Sequence, residues 1–135
     1  MIKVTCAIII QHKKILITQR GNHPRHPFQW EFPGGKTEPE ETDKECVERE
    51  LKEELNLHIE AVQKLHPVQF DYGFREIELI PFICHIKSGE IQLKEHVDFK
   101  WLSLSEIKKI NLSAADKKLL QHPVNRQAIE NRAAT

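Results

Sequence analysis

The stretch from Gly35 to Leu57, GKTEPEETDKECVERELKEELNL, constrains this chain more than any other. Thr42 followed by Glu45 makes a capping box, with Pro39 just outside it, so a helix starts there. Val47, Leu51 and Leu55 recur at helical spacing and form the stripe that the helix buries. Glu50, Glu53 and Glu54 stand at i, i+3 and i+4, which puts their Cβ atoms about 5–6 Å apart on one face. That row runs along the edge of the apolar stripe rather than on the far solvent side. Like charges so close destabilise a helix, and a face built only for solubility would interleave lysines. Most glutamate-rich helices are nonetheless solvated faces. A hard divalent cation removes the repulsion, and Mg²⁺ takes oxygen ligands from a few carboxylates while keeping sites for water and phosphate.

What precedes the helix separates these readings. EFPGGK, Glu31 to Lys36, supplies a Pro-Gly-Gly turn whose backbone can approach a ligand without a Cβ in the way. From Gly35 the spacing runs five residues to Glu41, seven more to Arg49-Glu50-Leu51, then Glu53-Glu54 and Leu57. At typical residue frequencies a random start meets such a pattern on the order of 10⁻⁸ of the time. It resembles the Nudix box, G-x5-E-x7-R-E-U-x-E-E-x-G-U with U aliphatic, and the preceding WEFPGGK is similar to the MutT-like branch of the Nudix hydrolases. The box departs from the pattern once, at Asn56 in place of its last glycine. Asn is the next best residue for a left-handed helix end, so the chemistry is expected to survive. LITQRG at Leu16–Gly21, Glu95-His96 before Trp101 and SAAD from Ser113 fall in the MutT-like order.

The resemblance implies an α/β fold, a mixed β-sheet packed between helices as an α/β/α sandwich. It implies Glu50, Glu53 and Glu54 as ligands of Mg²⁺ or Mn²⁺, with the Gly34 carbonyl as a backbone ligand and Glu95 as a further acidic ligand or base. Arg49 and Glu41 take a supporting role, because a guanidinium does not deprotonate in proteins and serves instead to orient carboxylates. Arg20 and Lys36 are candidates to meet phosphate charge, with His23, Arg25 and His26 near the same mouth. Phe32 is the first candidate to stack on a base, ahead of Phe70, Tyr72 and Phe74, although strand aromatics are more often core. Asp116 can accept from a guanine N1 and N2 edge or from a cytosine amino group, or it can simply complete the first turn of a helix capped by Ser113. The implied reaction is hydrolysis of a nucleoside triphosphate to monophosphate and diphosphate, with an oxidised purine nucleotide such as 8-oxo-dGTP as substrate, a reaction that cleans the nucleotide pool. Alternatives are another nucleoside diphosphate linked to X, such as (d)CTP or a dinucleoside polyphosphate, and a Nudix-like module that binds without turnover.

Composition bounds the partners. The 135 residues suit one domain, residues 1–135. Twenty basic and 20 acidic residues balance, so no stable nucleic-acid binding is expected, and no apolar run reaches membrane-spanning length. No signal peptide is evident and Cys6, Cys46 and Cys84 are scattered without a CxxC pair, which suits packing roles in a reducing cytoplasm. Periodicity predicts strands over Lys3–Ile10, Ile15–Arg20, Trp30–Phe32, Ala61–Phe70, Ile77–Lys87 and Phe99–Leu102. Helices are predicted over Ser105–Ile110 and Ala114–Gln121, the latter stopped by Pro123, with a tail fraying at NRAAT.

Overall fold

The computed structural model describes residues 1–134. Strand β1 (Ile2–Gln11) turns into β2 (Lys14–Gln19), and β3 (Trp30–Glu31), β4 (Gly34–Lys36) and helix α1 (Asp43–Leu55) follow. Next come β5 (His58–Lys64), β6 (Val68–Asp71), β7 (Glu76–Ser88) and β8 (Asp98–Leu102), then α2 (Leu104–Ile107), α3 (Ala114–Gln121) and α4 (Pro123–Ala133). The main strand order is β3-β2-β1-β7-β5, with β4 against β1, β6 against β7 and β8 against β2. β1 and β7 pair in parallel while the other pairs are antiparallel, so the sheet is mixed.

Alternation along β1 builds two cores. Ala7 and Ile9 face a cluster with Val47, Leu51 and Leu55 of α1, whereas Cys6 and Ile8 face a cluster with Leu119 of α3 and Ile129 of α4. Helices therefore cover both faces, the sandwich that the sequence implies. The hairpin between β1 and β2 closes through His12 and Lys13, both at positive φ, the backbone of a two-residue turn that matches strand twist. All three cysteines are free and buried. No helix among the described residues is long and apolar enough to cross a membrane.

Four elements differ from the sequence expectation. The strand expected over Ala61–Phe70 is two strands lying end to end along β7, since Pro67 has no N–H for the ladder. Buried Asn125 repairs the break, its Oδ1 accepting from His66 N at 2.7 Å and its Nδ2 donating to His66 O at 2.9 Å. Pro123 ends α3 but also opens α4, where a first-turn proline loses nothing, and His122 Nδ1 caps that helix. The tail expected to fray is thus helical through Ala133, with Thr135 outside the described residues. The Pro-Gly-Gly turn runs on into β4 rather than remaining a loop, because a Cβ at Gly34 would strike the Thr5 carbonyl and only glycine lets the strands approach. Finally α2 begins at Leu104, one residue early, because Ser103 and Glu106 form a capping box, and ends at Ile107.

Candidate active site

Helix α1 is held where its sequence starts it. Thr42 Oγ1 accepts from Glu45 N at 3.1 Å while Glu45 Oε1 accepts from Thr42 N at 2.9 Å. The far end closes on Asn56 at φ 58°, the left-handed cap that stands where the box has glycine. Between the caps Arg49 is a hub. Its guanidinium grips Glu41 through Nε and Nη2, its Nη1 donates to Glu50 at 3.0 Å and to Glu53 at 3.1 Å, and its Nη2 donates to the Lys36 carbonyl at 3.2 Å. The Arg49 hydrogen bonds hold the Glu41 carboxyl down at about 2. This network ties helix, loop and carboxylate row together, the geometry that an orienting role for Glu41 and Arg49 would require. Buried Cys46 adds to it, sharing the Gly35 carbonyl with Thr5.

The carboxylates respond differently to burial. Glu53 is exposed, at 59 % for its side chain. Burial raises the Glu50 carboxyl, against the pull of Arg49. Glu54 is pushed up to about 8, first by burial and then by the charges of Glu50, Glu31 and Glu95. Its Oε2 is buried without any partner. Glycine at 35 leaves the space that Glu50 fills, since a Cβ there would run into the Glu50 carboxylate. With Arg49 occupying Glu50 and Glu53, no three acidic or histidine side chains among the described residues are already closed on an ion position. The donor set still fits a divalent cation: oxygen ligands only, one buried and unpartnered, in a field of mutual repulsion that positive charge relieves.

A cleft of about 550 Å³ connects this row to the opposite wall. Gly34, Gly35, Lys36, Glu54 and Glu95 line it near the box, and Tyr72, Ser113, Ala115 and Asp116 line it at the start of α3. Asp116 is only 4 % exposed, accepts from Phe32 N at 3.0 Å, and is pushed up to about 7 by burial with a contribution from Glu31. Its own amide donates to Ser113 Oγ at 3.4 Å, so the capping role and the cleft-lining role coincide. Tyr72 Oη accepts from Ala115 N at 3.2 Å and anchors the same helix start. Phe32 touches the cleft, but it is only 4 % exposed and packs in the core rather than standing ready to stack, and its backbone N–H is taken by Asp116.

A NUDIX domain profile matches residues 1–122. The chain belongs to the Nudix hydrolase family. This Nudix domain is 35 % identical over 121 residues to the CTP pyrophosphohydrolase of Escherichia coli (strain K12), covering 90 % of both chains. It is 30 % identical over 117 residues to the 8-oxo-dGTP diphosphatase of Buchnera aphidicola subsp. Schizaphis graminum (strain Sg), covering 87 % of this chain and 88 % of that one. The solution structure of the E. coli ORF135 protein superposes with a TM-score of 0.78 at 32 % identity, covering 98 % of this chain and 91 % of that one. Nudix enzymes use divalent metal and act on small nucleotide substrates, and the cleft of this domain is built to that scale.

Of the residues singled out in sequence, Arg20, Phe32, Gly34, Lys36, Glu54, Glu95 and Asp116 line one cleft, as does His23. Beside it Arg49, fixed by Glu41, is hydrogen-bonded to Glu50 and Glu53. Arg25 lies 3.9 Å over the Phe74 ring and His26 packs on Tyr72, so these two belong to a neighbouring aromatic cluster rather than to the cleft lining. Sequence reasoning missed three residues. Glu31 lines the cleft and bonds both Arg20 and His96. His96 lines it with Nδ1 buried and unpartnered, and Arg75 does so with an unpartnered Nε. Glu31 and His96 carry a signal in the sequence, from their places in WEFPGGK and beside Glu95, whereas Arg75 carries none.

Proposed function

We propose that this Nudix domain hydrolyses a nucleoside triphosphate to monophosphate and diphosphate with Mg²⁺, or Mn²⁺, held by Glu50, Glu53 and Glu54, with the Gly34 carbonyl and Glu95 as further ligands. The observation that carries the reading is a single cleft lined both by Glu54, with its unpartnered oxygen, and by a buried carboxyl at Asp116. When bound, the cation neutralises phosphate oxygens and lowers the pKa of the attacking water. The chain's own residues supply orientation. Arg49, fixed by Glu41, sets the rotamers of Glu50 and Glu53, and Lys36 and Arg20 bring positive charge to the polyphosphate.

Asp116 reads the base. An ionised carboxylate accepts from the N1 hydrogen and 2-amino group of a guanine edge, while adenine offers neither, so 8-oxo-dGTP or another guanine-type nucleotide suits it better than dATP. A second reading is favoured by the 35 % identity to a CTP pyrophosphohydrolase, because the cytosine amino group is also a donor. Comparing kcat/KM for 8-oxo-dGTP, dGTP, CTP, dCTP and dATP separates them. The proposal expects a guanine-type nucleotide to lead and dATP to trail by about tenfold or more. A leading cytosine nucleotide establishes the second reading, and a leading dATP overturns the role of Asp116.

A further inference from the structure

Along the cleft wall runs a hydrogen-bonded chain, Arg20, Glu31 and His96, that neither the box nor the base-reading carboxyl accounts for. Glu31 divides its carboxylate: Oε1 accepts from Arg20 Nε at 2.7 Å, and Oε2 meets His96 Nε2 at 2.9 Å. Its carboxyl is lowered although burial acts to raise it, the His96 hydrogen bond and the Arg20 charge more than offsetting desolvation. His96 meets the carboxylate through Nε2 alone, and its buried Nδ1 has no partner. The imidazole is 6 % exposed and has no solvent-facing task. Both ends of the chain are pinned by backbone hydrogen bonds: Arg20 N donates to Gln29 O at 2.9 Å, and Val97 N donates to Gln19 O at 3.0 Å beside His96.

Arg20 keeps its two terminal NH₂ groups without a partner among the described residues, while its Nε is tethered to Glu31. An arginine at a strand end carries large rotamer entropy, and a guanidinium free to swing would lose it on binding. Tethered at Nε, its fork is directed to the cleft before any ligand arrives. The tether is only as firm as Glu31, and Glu31 with Arg20 alone would be a half-buried carboxylate pivoting on one partner. His96 removes that freedom.

We propose that His96 is a positioning residue: through Glu31 it fixes the Arg20 guanidinium as a preformed fork for the oxygens of an incoming nucleotide. The ligand part rests on the nucleotide reading given above; the mechanical part, histidine to glutamate to arginine, does not. His96→Phe keeps a planar ring of similar size and deletes the donor, His96→Gln restores a donor, and Arg20→Ala removes the group acted upon. Calorimetry with α,β-methylene-dGTP, a nucleotide that resists cleavage, measures affinity without turnover. His96→Phe is expected to weaken binding about tenfold in the parent, with recovery in His96→Gln, and to add less than about twofold in the Arg20→Ala background. Equal weakening in both backgrounds overturns the proposal, since His96 then acts other than through Arg20. In parallel, ¹⁵N NMR of the full chain without ligand follows the Arg20 Nε–H, which is expected to exchange slowly in the parent and in His96→Gln and to broaden or exchange fast in His96→Phe. An unchanged Nε–H in His96→Phe overturns the proposal whatever the calorimetry gives. A parent chain that binds no nucleotide while the NMR contrast holds refutes the nucleotide reading and leaves the relay standing.

Discussion

Replacing Asp116 with asparagine keeps an oxygen to accept the Phe32 N–H and removes the charge. In the fold this carboxyl rises from 3.8 to about 7, chiefly by burial. A folded value above the unfolded one means that its stabilising contribution is complete below the unfolded value and is lost as pH climbs through the folded one, so the window runs from 3.8 to about 7. Ionising a carboxyl so displaced costs about 4 kcal/mol at most, and water entering the cleft lowers that figure. For a domain of this size, at roughly 3 °C of melting temperature per kcal/mol, Asp116→Asn should gain about 5–10 °C on the parent between pH 4 and pH 8. Melts in metal-free buffer at each pH, read as the difference between variant and parent, measure it. A difference that stays constant with pH would refute the buried-carboxyl account. Asp116→Ala, which removes the acceptor altogether, should bring the guanine-over-adenine preference from about tenfold or more toward unity, since a hydrogen bond to a charged group is worth about 1.5–3 kcal/mol. If that preference survives, Asp116 serves only Phe32 and Ser113.

Other consequences are equally direct. Glu53 is largely exposed, so Glu53→Gln should leave the melting temperature nearly unchanged while kcat falls by about 10² or more; turnover within about threefold of the parent contradicts its assignment as a ligand. Asn56 sits at φ 58°, so Asn56→Gly should be neutral or slightly stabilising and Asn56→Val should lose about 1 kcal/mol or more, whereas equal melting temperatures for the two would show that the cap geometry is immaterial. Because Glu54 is pushed up to about 8, protons compete with the cation, and calorimetric Mg²⁺ affinity should rise with pH and level off above that value. An affinity that does not change with pH removes Glu54 from the ligand set.

What was legible in the sequence is what lies close along it. The capping box, the apolar stripe and the Arg49 contacts to Glu50 and Glu53 follow from helical offsets, and Glu41 is only eight residues from Arg49. The Asn56 cap is likewise local, decided by one residue's tolerance for positive φ. The Glu31–His96 bond joins residues 65 apart and depends on β3 and β8 both pairing with β2, so spacing alone does not reveal it. Asp116 was visible as a first-turn acid, but its burial against Phe32 comes from α3 docking 84 residues downstream. Pro123 misled because proline stops one helix and starts another with equal ease, and nothing local distinguishes the two until Ile129 is seen to fill the core. The strand break at Pro67 needed Asn125, a partner 59 residues away, to satisfy its backbone.

We propose that the carboxylate row and the cleft together cleave a nucleoside triphosphate between its α and β phosphates with a bound divalent cation. Phosphorus NMR of 8-oxo-dGTP incubated with the full chain and Mg²⁺, with and without excess chelator, decides this. Monophosphate and diphosphate are expected in equal amounts, with no reaction in chelator. Nucleoside diphosphate with orthophosphate, or an unchanged rate after chelation, would refute the proposal.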